Sequence, residues 1–336
     1  MLYIKDITDK GYVIYDTDDK TYSELNKQQV LSLNKKCKIL GVSNNKIKSI
    51  NPVDILNKWI LLGVADTKLK NITLNKFLDI DNEYLLGLTD NLVTLEMYSG
   101  ESCDVTIPEV ISCIGTNAFR NNKAIKITLS NKVKYLRYGC FSHSELQKIN
   151  LPNSLEIIES CCFKYCINLR EIVIPYNVKD IGKECFYECT SLKSVKFLSR
   201  IKKLESYMFA HCIVLEKIKI PNSVETLGFG CFSQCIKLKD IQISNNVTTI
   251  DGYCFYSCVK LKNITIPNSV VSLSFSCFNS CVNLETVILS DNLKHMELDC
   301  FNGCTNLKEI LVTKEVYNRP EIKICLERYK DKIKFK

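Results

Sequence analysis

The chain has 336 residues, 46% of them hydrophobic, and a formal charge of +8. Its 12 glycines and 7 prolines are too few for a collagen-like or low-complexity chain, and no run of about eighteen apolar residues occurs that could span a membrane. Half of the positive excess sits in residues 314–336, where eight basic residues stand against four acidic ones. Such a tail reads as a solvated helix face, and no basic motif interleaved with aromatics points to nucleic acid.

Taken in order, the first fifty residues differ from the rest of the chain. Met1-Leu-Tyr-Ile-Lys-Asp6 lacks the basic and apolar regions of a signal peptide. A cytoplasmic location is therefore expected, with the cell surface or secretion as the alternative. Tyr12–Tyr15 is a short β-rich run closed by the turn-like Asp16–Lys20, Asn26–Lys36 reads as a helix, and Lys38–Val42 reads as a second strand. Pro52 can open a further helix through Ile55, Leu56 and Trp59. Residues 1–62 are expected to form a small α/β module.

Residues 63–102 read as worn repeats at the join. Leu69-Lys-Asn-Ile72-Thr-Leu74 has strand spacing, and Leu88-Thr-Asp-Asn-Leu92-Val-Thr-Leu95 parallels Leu289-Ser-Asp-Asn-Leu293-Lys-His-Met296. Terminal repeats are commonly atypical because one side meets something other than a repeat.

From Val105 the register is clean. Val105, Ile127, Ile149, Ile172, Val195, Ile218, Ile241, Ile264, Val287 and Ile310 succeed one another at steps of 22, 22 and then 23 residues. The two short steps come from turns one residue shorter: Phe119 to Ala124 and Phe141 to Leu146 are five apart, Phe163 to Leu169 six. A fixed period of this size means a solenoid. Each coil opens with Leu-x-x-Ile-x-Ile, whose two isoleucines share one face of a strand while the residue between them faces out. Pro152, Pro175, Pro221 and Pro267 end the strand, having no donor for another ladder bond. Asn-Ser turns the chain, residues such as Val247 and Ile250 point back inside, and Cys-Phe-x-x-Cys is expected to close the coil with a short helical turn. After Val312 the pattern stops. Pro320 can start an amphipathic helix with Ile322, Cys325, Leu326, Tyr329 and Ile333 on one face, which would cover the last coil in a capping element of residues 314–336.

Leu-x-x-Ile-x-Ile-Pro-Asn-Ser-Val, with Gly228 and Cys231-Phe-Ser-Gln-Cys235 following in one clear copy, resembles the BspA-like leucine-rich repeat family over residues 103–312. The resemblance implies an α/β solenoid: about ten coils of 22–23 residues with a parallel sheet, over residues 103–313. Proteins of that family are often surface proteins that bind other proteins or adhere to hosts. This chain departs in carrying cysteine where the family usually has alanine before phenylalanine.

Fourteen of the 19 cysteines fall in two columns. One holds Cys140, Cys162, Cys185, Cys231, Cys254, Cys277 and Cys300; the other holds Cys166, Cys189, Cys212, Cys235, Cys258, Cys281 and Cys304. Coils stacked at about 4.8 Å lie within disulfide reach, and the spacing also invites a metal array. Ala118 and Met208 stand in the first column, Asn122 and Ser144 in the second. Those substitutions favour core packing of reduced thiols, and neither metal nor cofactor is expected.

His143, His211 and His295 fall at unrelated positions, and no phosphate loop or catalytic motif accompanies them. The expected function is non-catalytic: a monomeric scaffold presenting its strand face to an unknown protein partner, with no nucleic acid. The alternatives are a regulatory or enzymatic activity in residues 1–62 that the solenoid targets, or a surface adhesin. Alternation leaves the third and fifth residues of each strand motif pointing outward. Among these, Lys196, Lys217 and Lys219 beside the apolar Val173, with Gln242 next in line, are the candidate partner-binding residues.

Overall fold

The computed structural model describes residues 2–8, 11–16, 21–25, 40–42, 84–89 and 92–98 as strands, then residues 102–107, 109 and 111–336. β1 (Leu2–Thr8), β2 (Gly11–Asp16) and β3 (Thr21–Leu25) form an antiparallel meander, and β4 (Leu40–Val42) runs parallel to β1. β2 and β4 fall where strands are expected. β1 and β3 add to that expectation. The helices expected at Asn26–Lys36 and from Pro52, and the worn repeat at Leu69–Leu74, lie outside the described residues.

β5 (Tyr84–Thr89) and β6 (Leu92–Tyr98) are antiparallel, and β6 then pairs in parallel with Cys113–Ile114. Thr94 sits opposite Cys113 and Leu95 opposite Ile114. Leu95 thus occupies the column that Met296 fills at the other end, as the parallel between Leu88–Leu95 and Leu289–Met296 implies.

From there the chain is a parallel-strand solenoid of about ten turns of ~23 residues. Each coil has three sides. One carries the Leu-x-x-Ile-x-Ile strand, as at Lys217–Lys219, and a second carries a strand of two residues, as at Thr226–Leu227. The third is the Cys-Phe turn. The expected parallel sheet is present on the first side, and the second side adds a ladder of its own: Lys203–Leu204, Thr226–Leu227, Thr249–Ile250, Ser272–Leu273 and His295–Met296 pair in succession.

The turn side corrects the expectation of a helical turn. The residues two before and two after each core phenylalanine have positive φ, fifteen of them non-glycine at 54–62°. A left-handed residue with a Cβ costs roughly 1–2 kcal/mol. The compensation is that its N–H points along the stack: Tyr207, Phe209 and His211 donate to the carbonyls of Phe229, Cys231 and Ser233, each at 2.8 Å. A helical turn would direct these donors inside its own coil. Three such bonds, at roughly 0.5–1.5 kcal/mol apiece, are of the size needed to hold both left-handed residues.

Between the sides runs the core. Phe119, Phe141, Phe163, Phe186, Phe209, Phe232, Phe255, Phe278 and Phe301 are all buried and stack with centroids 5.1–5.8 Å apart. That spacing at small interplanar angles is the offset stack that aromatic quadrupoles favour.

After the last coil, α1 (Lys314–Tyr317) and α2 (Pro320–Leu326) bury Val316, Ile322 and Leu326. The helix is shorter than its apolar spacing predicts. A 3-10 segment, Glu327–Lys332, follows, and Ile333 belongs to a strand, Ile333–Phe335, that pairs with Glu309–Val312. Ile333 still packs against the core, but from a sheet edge, because a parallel strand there satisfies the backbone groups of Ile310–Val312.

Candidate functional site

The long-strand side is where outward residues vary from coil to coil, and its ladder is not continuous. It runs as Asp104–Thr106 with Lys126–Thr128 and Lys148–Asn150, then Glu171–Ile174 with Ser194–Phe197, then Lys217–Lys219 with Asp240–Gln242, and finally Asn263–Thr265 onward. The pair Lys217–Lys219 and Asp240–Gln242 therefore has a break on each side.

Burial of the layer beneath is uneven along this side. Of the ten inward residues from Val105 to Ile310, eight are buried; Val195 and Ile241 are only half-buried. Both lie on the floor of a depression of about 1020 Å³ that Ile218 also lines. Around the floor stand Lys217, Lys219, Lys237, Lys239, Lys260 and Lys262, against only two acids, Glu216 and Asp240.

Charge pairing within this rim is sparse. Lys239 meets Glu216 at 2.8 Å, which raises the lysine pKa and lowers that of the carboxyl. The other five lysines are exposed and form no ion pair among the described residues. Elsewhere on the solenoid, bridges between neighbouring coils are routine, as at Lys126–Asp104 (2.6 Å), Arg137–Glu159 (2.8 Å) and Lys179–Glu156 (2.7 Å). Six ammonium groups against two carboxylates around one hollow give it a positive field.

All five candidates named from the strand alternation — Val173, Lys196, Lys217, Lys219 and Gln242 — are exposed on this side. The geometry divides them. Val173, 46% exposed, is the cross-strand partner of Lys196, and neither lines the depression. Lys217, Lys219 and Gln242 do, with Lys219 opposite Gln242 and Lys217 opposite Asp240. A smaller hollow of about 380 Å³ continues past Lys219 and Gln242 to Asn222, Asn245 and Asn246. Sequence reasoning missed Lys237, Lys239, Lys260 and Lys262 because they flank the motif leucine and do not stand at its alternating positions. The signal was available: Lys237-Leu238-Lys239 recurs as Lys260-Leu261-Lys262 one period later.

The cysteine columns are interior. Each second-column thiol donates to the carbonyl of the phenylalanine one coil back: Cys166 to Phe141 (3.0 Å), Cys235 to Phe209 (3.1 Å), Cys281 to Phe255 (3.0 Å) and the rest alike. This column is thus more than apolar filling, since cysteine supplies a donor too small to disturb the stack. Burial pushes the thiols of Cys166 and Cys235 up to about 12, which keeps them protonated and inert. The histidines also have packing partners. His143 stacks on Tyr165 at 4.3 Å, His211 lies against Tyr187 at 5.3 Å, and His295 faces Glu321 at 3.1 Å. Among the described residues no group of three or more His, Cys, Asp or Glu side chains is placed to hold a metal ion, and no helix is long and apolar enough to cross a membrane.

The sequence of residues 97–215 and 202–321 matches the family model of the BspA type leucine rich repeat region. A leucine-rich repeat protein from Bacteroides ovatus is 25% identical, with 69% of this chain aligned to 70% of that one at a TM-score of 0.55. The leucine-rich repeat protein of T. pallidum is 21% identical over 76% of this chain and 97% of its own, at 0.46. A leucine rich cell surface protein from Faecalibacterium prausnitzii is 20% identical over 72% and 97%, at 0.37. No curated protein matches the chain.

Proposed function

This chain belongs to the BspA-type leucine-rich repeat family, and from that premise we propose that it is a non-catalytic scaffold whose long-strand side binds another protein. The observation that carries the reading is the lysine-rimmed depression over Val195, Ile218 and Ile241. Repeat packing gives no reason to leave five like charges unpaired or two core positions half-open. Both features lower the cost of desolvating a partner that brings negative charge and an apolar side chain. Val173 and Lys196 extend the same face by one strand pair and are the outer part of the footprint. Within this proposal residues 1–62 are a separate module, residues 63–102 its junction to the repeats at 103–313, and residues 314–336 a cap that keeps the array soluble and monomeric.

The test is site-dependent capture. Protein reversed to glutamate at Lys196, Lys217 and Lys219 should fold as the parent does, since exposed substitutions usually cost under ~0.5 kcal/mol. It should lose the proteins that the parent retains from a cell extract of its source, most completely at low salt. A control reversed at Lys179 and Lys202, away from the depression, should keep them. Equal retention by the strand-side and control variants would move the site off this face. The cytoplasmic expectation gains no support from the relatives, one of which is a cell surface protein. Protease treatment of intact cells, followed by probing for the chain, decides between the two placements.

A further inference from the structure

The rim and floor together define a ligand chemistry more specific than an acidic surface. Lys237 and Lys260 precede the motif leucines of adjacent coils, and Lys239 and Lys262 follow them. The backbone positions of these four lysines form two rows along the stack, one coil spacing of about 4.8 Å apart within each row. Lys217 and Lys219 flank the buried Ile218 on the neighbouring strand. The hollow they surround has an aliphatic floor of half-buried Val195 and Ile241, with Ser194, Gln242 and Asn263 also in its lining.

No aromatic residue and no arginine lines this hollow. Single-stranded nucleic acids are held by aromatic platforms that stack bases, and phosphate or sulfate recognition favours the bidentate fork of arginine. Lysine offers compact point charges without directional demand, and the aliphatic floor offers no ring on which a sugar or a base could stack. It does suit a leucine- or valine-like side chain.

We infer that the depression is a docking site for an extended protein segment rich in carboxylates, with one aliphatic side chain at its centre. The carboxylates meet Lys237, Lys260, Lys262, Lys217 and Lys219, and the aliphatic side chain covers Val195 and Ile241. Glu216 and Asp240 set the limit of the footprint, since each would repel a carboxylate placed against it. This inference rests on the protein-binding reading above and names the part of the partner that the face takes.

The experiment uses the full chain and a fluorescein-labelled peptide, Glu-Glu-Leu-Glu-Glu, followed by fluorescence anisotropy. The parent protein should bind it in a salt-sensitive manner, and a peptide with serine at the centre should bind more weakly. Reversal of Lys237, Lys260 and Lys262 to glutamate should weaken binding by about tenfold or more. The same variant should gain affinity for Lys-Lys-Leu-Lys-Lys, a result that misfolding cannot produce. Unchanged binding by the triple variant, or equal affinity for leucine- and serine-centred peptides, would overturn the inference. So would displacement of the peptide by polyphosphate or an oligodeoxythymidylate at lower charge concentration than by the peptide itself. A protein partner that depends on Lys196, Lys217 and Lys219 yet ignores both the triple variant and the competing peptide would leave the scaffold reading standing and sink this one.

Discussion

Tyr329 meets Phe301 edge-on, with ring centroids 6.0 Å apart and planes at 81°. Phe278 and Phe301, one step earlier, are 18° from parallel. A parallel ring on the last coil would present its face for a further coil, whereas the perpendicular Tyr329 covers that face with its edge. The backbone is closed in the same region: Cys325 donates to Met296 O at 3.1 Å, Arg319 to Leu293 O at 2.6 Å, and Lys332 to Leu307 O at 2.6 Å.

Removing residues 318–336 should therefore lower the melting temperature and cause aggregation. The cut uncovers the apolar side of the last coil and the strand edge at Glu309–Val312, and a solenoid needs a covered end to stay soluble. Tyr329→Ala is the milder version, expected to cost roughly 0.5–1.5 kcal/mol from the ring pair plus lost burial. Thermal unfolding with light scattering checks both. A truncated protein as stable and monomeric as the parent would remove the capping role.

Phe255 is held between Phe232 and Phe278 at 5.4 and 5.1 Å, within 7° of parallel on both sides. Phe255→Ala should destabilise by about 3–5 kcal/mol. Because each coil touches only its neighbours, the array should also lose cooperativity at that point. Urea unfolding followed by circular dichroism should show a lower midpoint and a shallower transition. A loss below about 1 kcal/mol would mean that the stack closes over the gap and that the rings are interchangeable filling.

How much of the fold and the site is legible from residues alone varies with the range of the interaction. The coil count and the core are legible because Phe119 to Phe301 recur at steps of 22 and then 23 residues. Alternation within Leu-x-x-Ile-x-Ile likewise marks Lys217, Lys219 and Gln242 as outward. The hollow is not legible, because Val195 and Ile241 are the same residue types as their buried counterparts Val287 and Ile218. Their half-exposure depends on how whole coils stack, which residue type alone does not encode. Left-handed residues are visible only in part. Asn117, Asn121 and Gly139 tolerate positive φ, but Tyr207, Tyr253 and His211 in the same columns do not advertise it. Ile333 has helical spacing and becomes a strand because an open parallel edge at Glu309–Val312 outcompetes local periodicity.

The second cysteine column makes a prediction about which substitute fits. Cys235 Sγ donates to Phe209 O at 3.1 Å in a fully buried site. Cys235→Ala removes one of the two donors to that carbonyl, which keeps the Cys212 N–H at 3.1 Å, at a cost of about 0.5–1.5 kcal/mol. Cys235→Ser keeps a donor of similar size, and Ser144 already occupies this column, 3.5 Å from Cys166 Sγ. Serine should therefore be better tolerated than alanine, which reverses the order expected if cysteine were only a small hydrophobe. Chemical denaturation of the two variants decides it, and alanine outperforming serine would count against the hydrogen bond. Titrating thiols in denaturant without reductant should in addition find the repeat cysteines free.

The same thiols set how stability depends on alkali. Burial raises Cys166, Cys235 and Cys304 to about 12, and displaces Cys189, Cys212, Cys258 and Cys281 in the same direction. In the unfolded chain a thiol ionises near about 8.5. Below that pH both states are protonated and the thiols contribute no slope. Above it the unfolded chain releases protons that the folded protein still holds, so the unfolded state binds fewer and stability falls as pH rises. The loss continues up to the folded values. In reductant, the melting temperature should be flat at neutral pH and decline between about pH 8 and 10, below the main range of lysine titration. Tyrosine begins to titrate at the top of that window, so the control is internal: a variant with Cys166, Cys235 and Cys258 replaced by serine lacks three of these groups. Its slope over the same window should be visibly shallower. An identical slope in parent and variant would assign the alkaline loss to other groups and remove the thiols from the account.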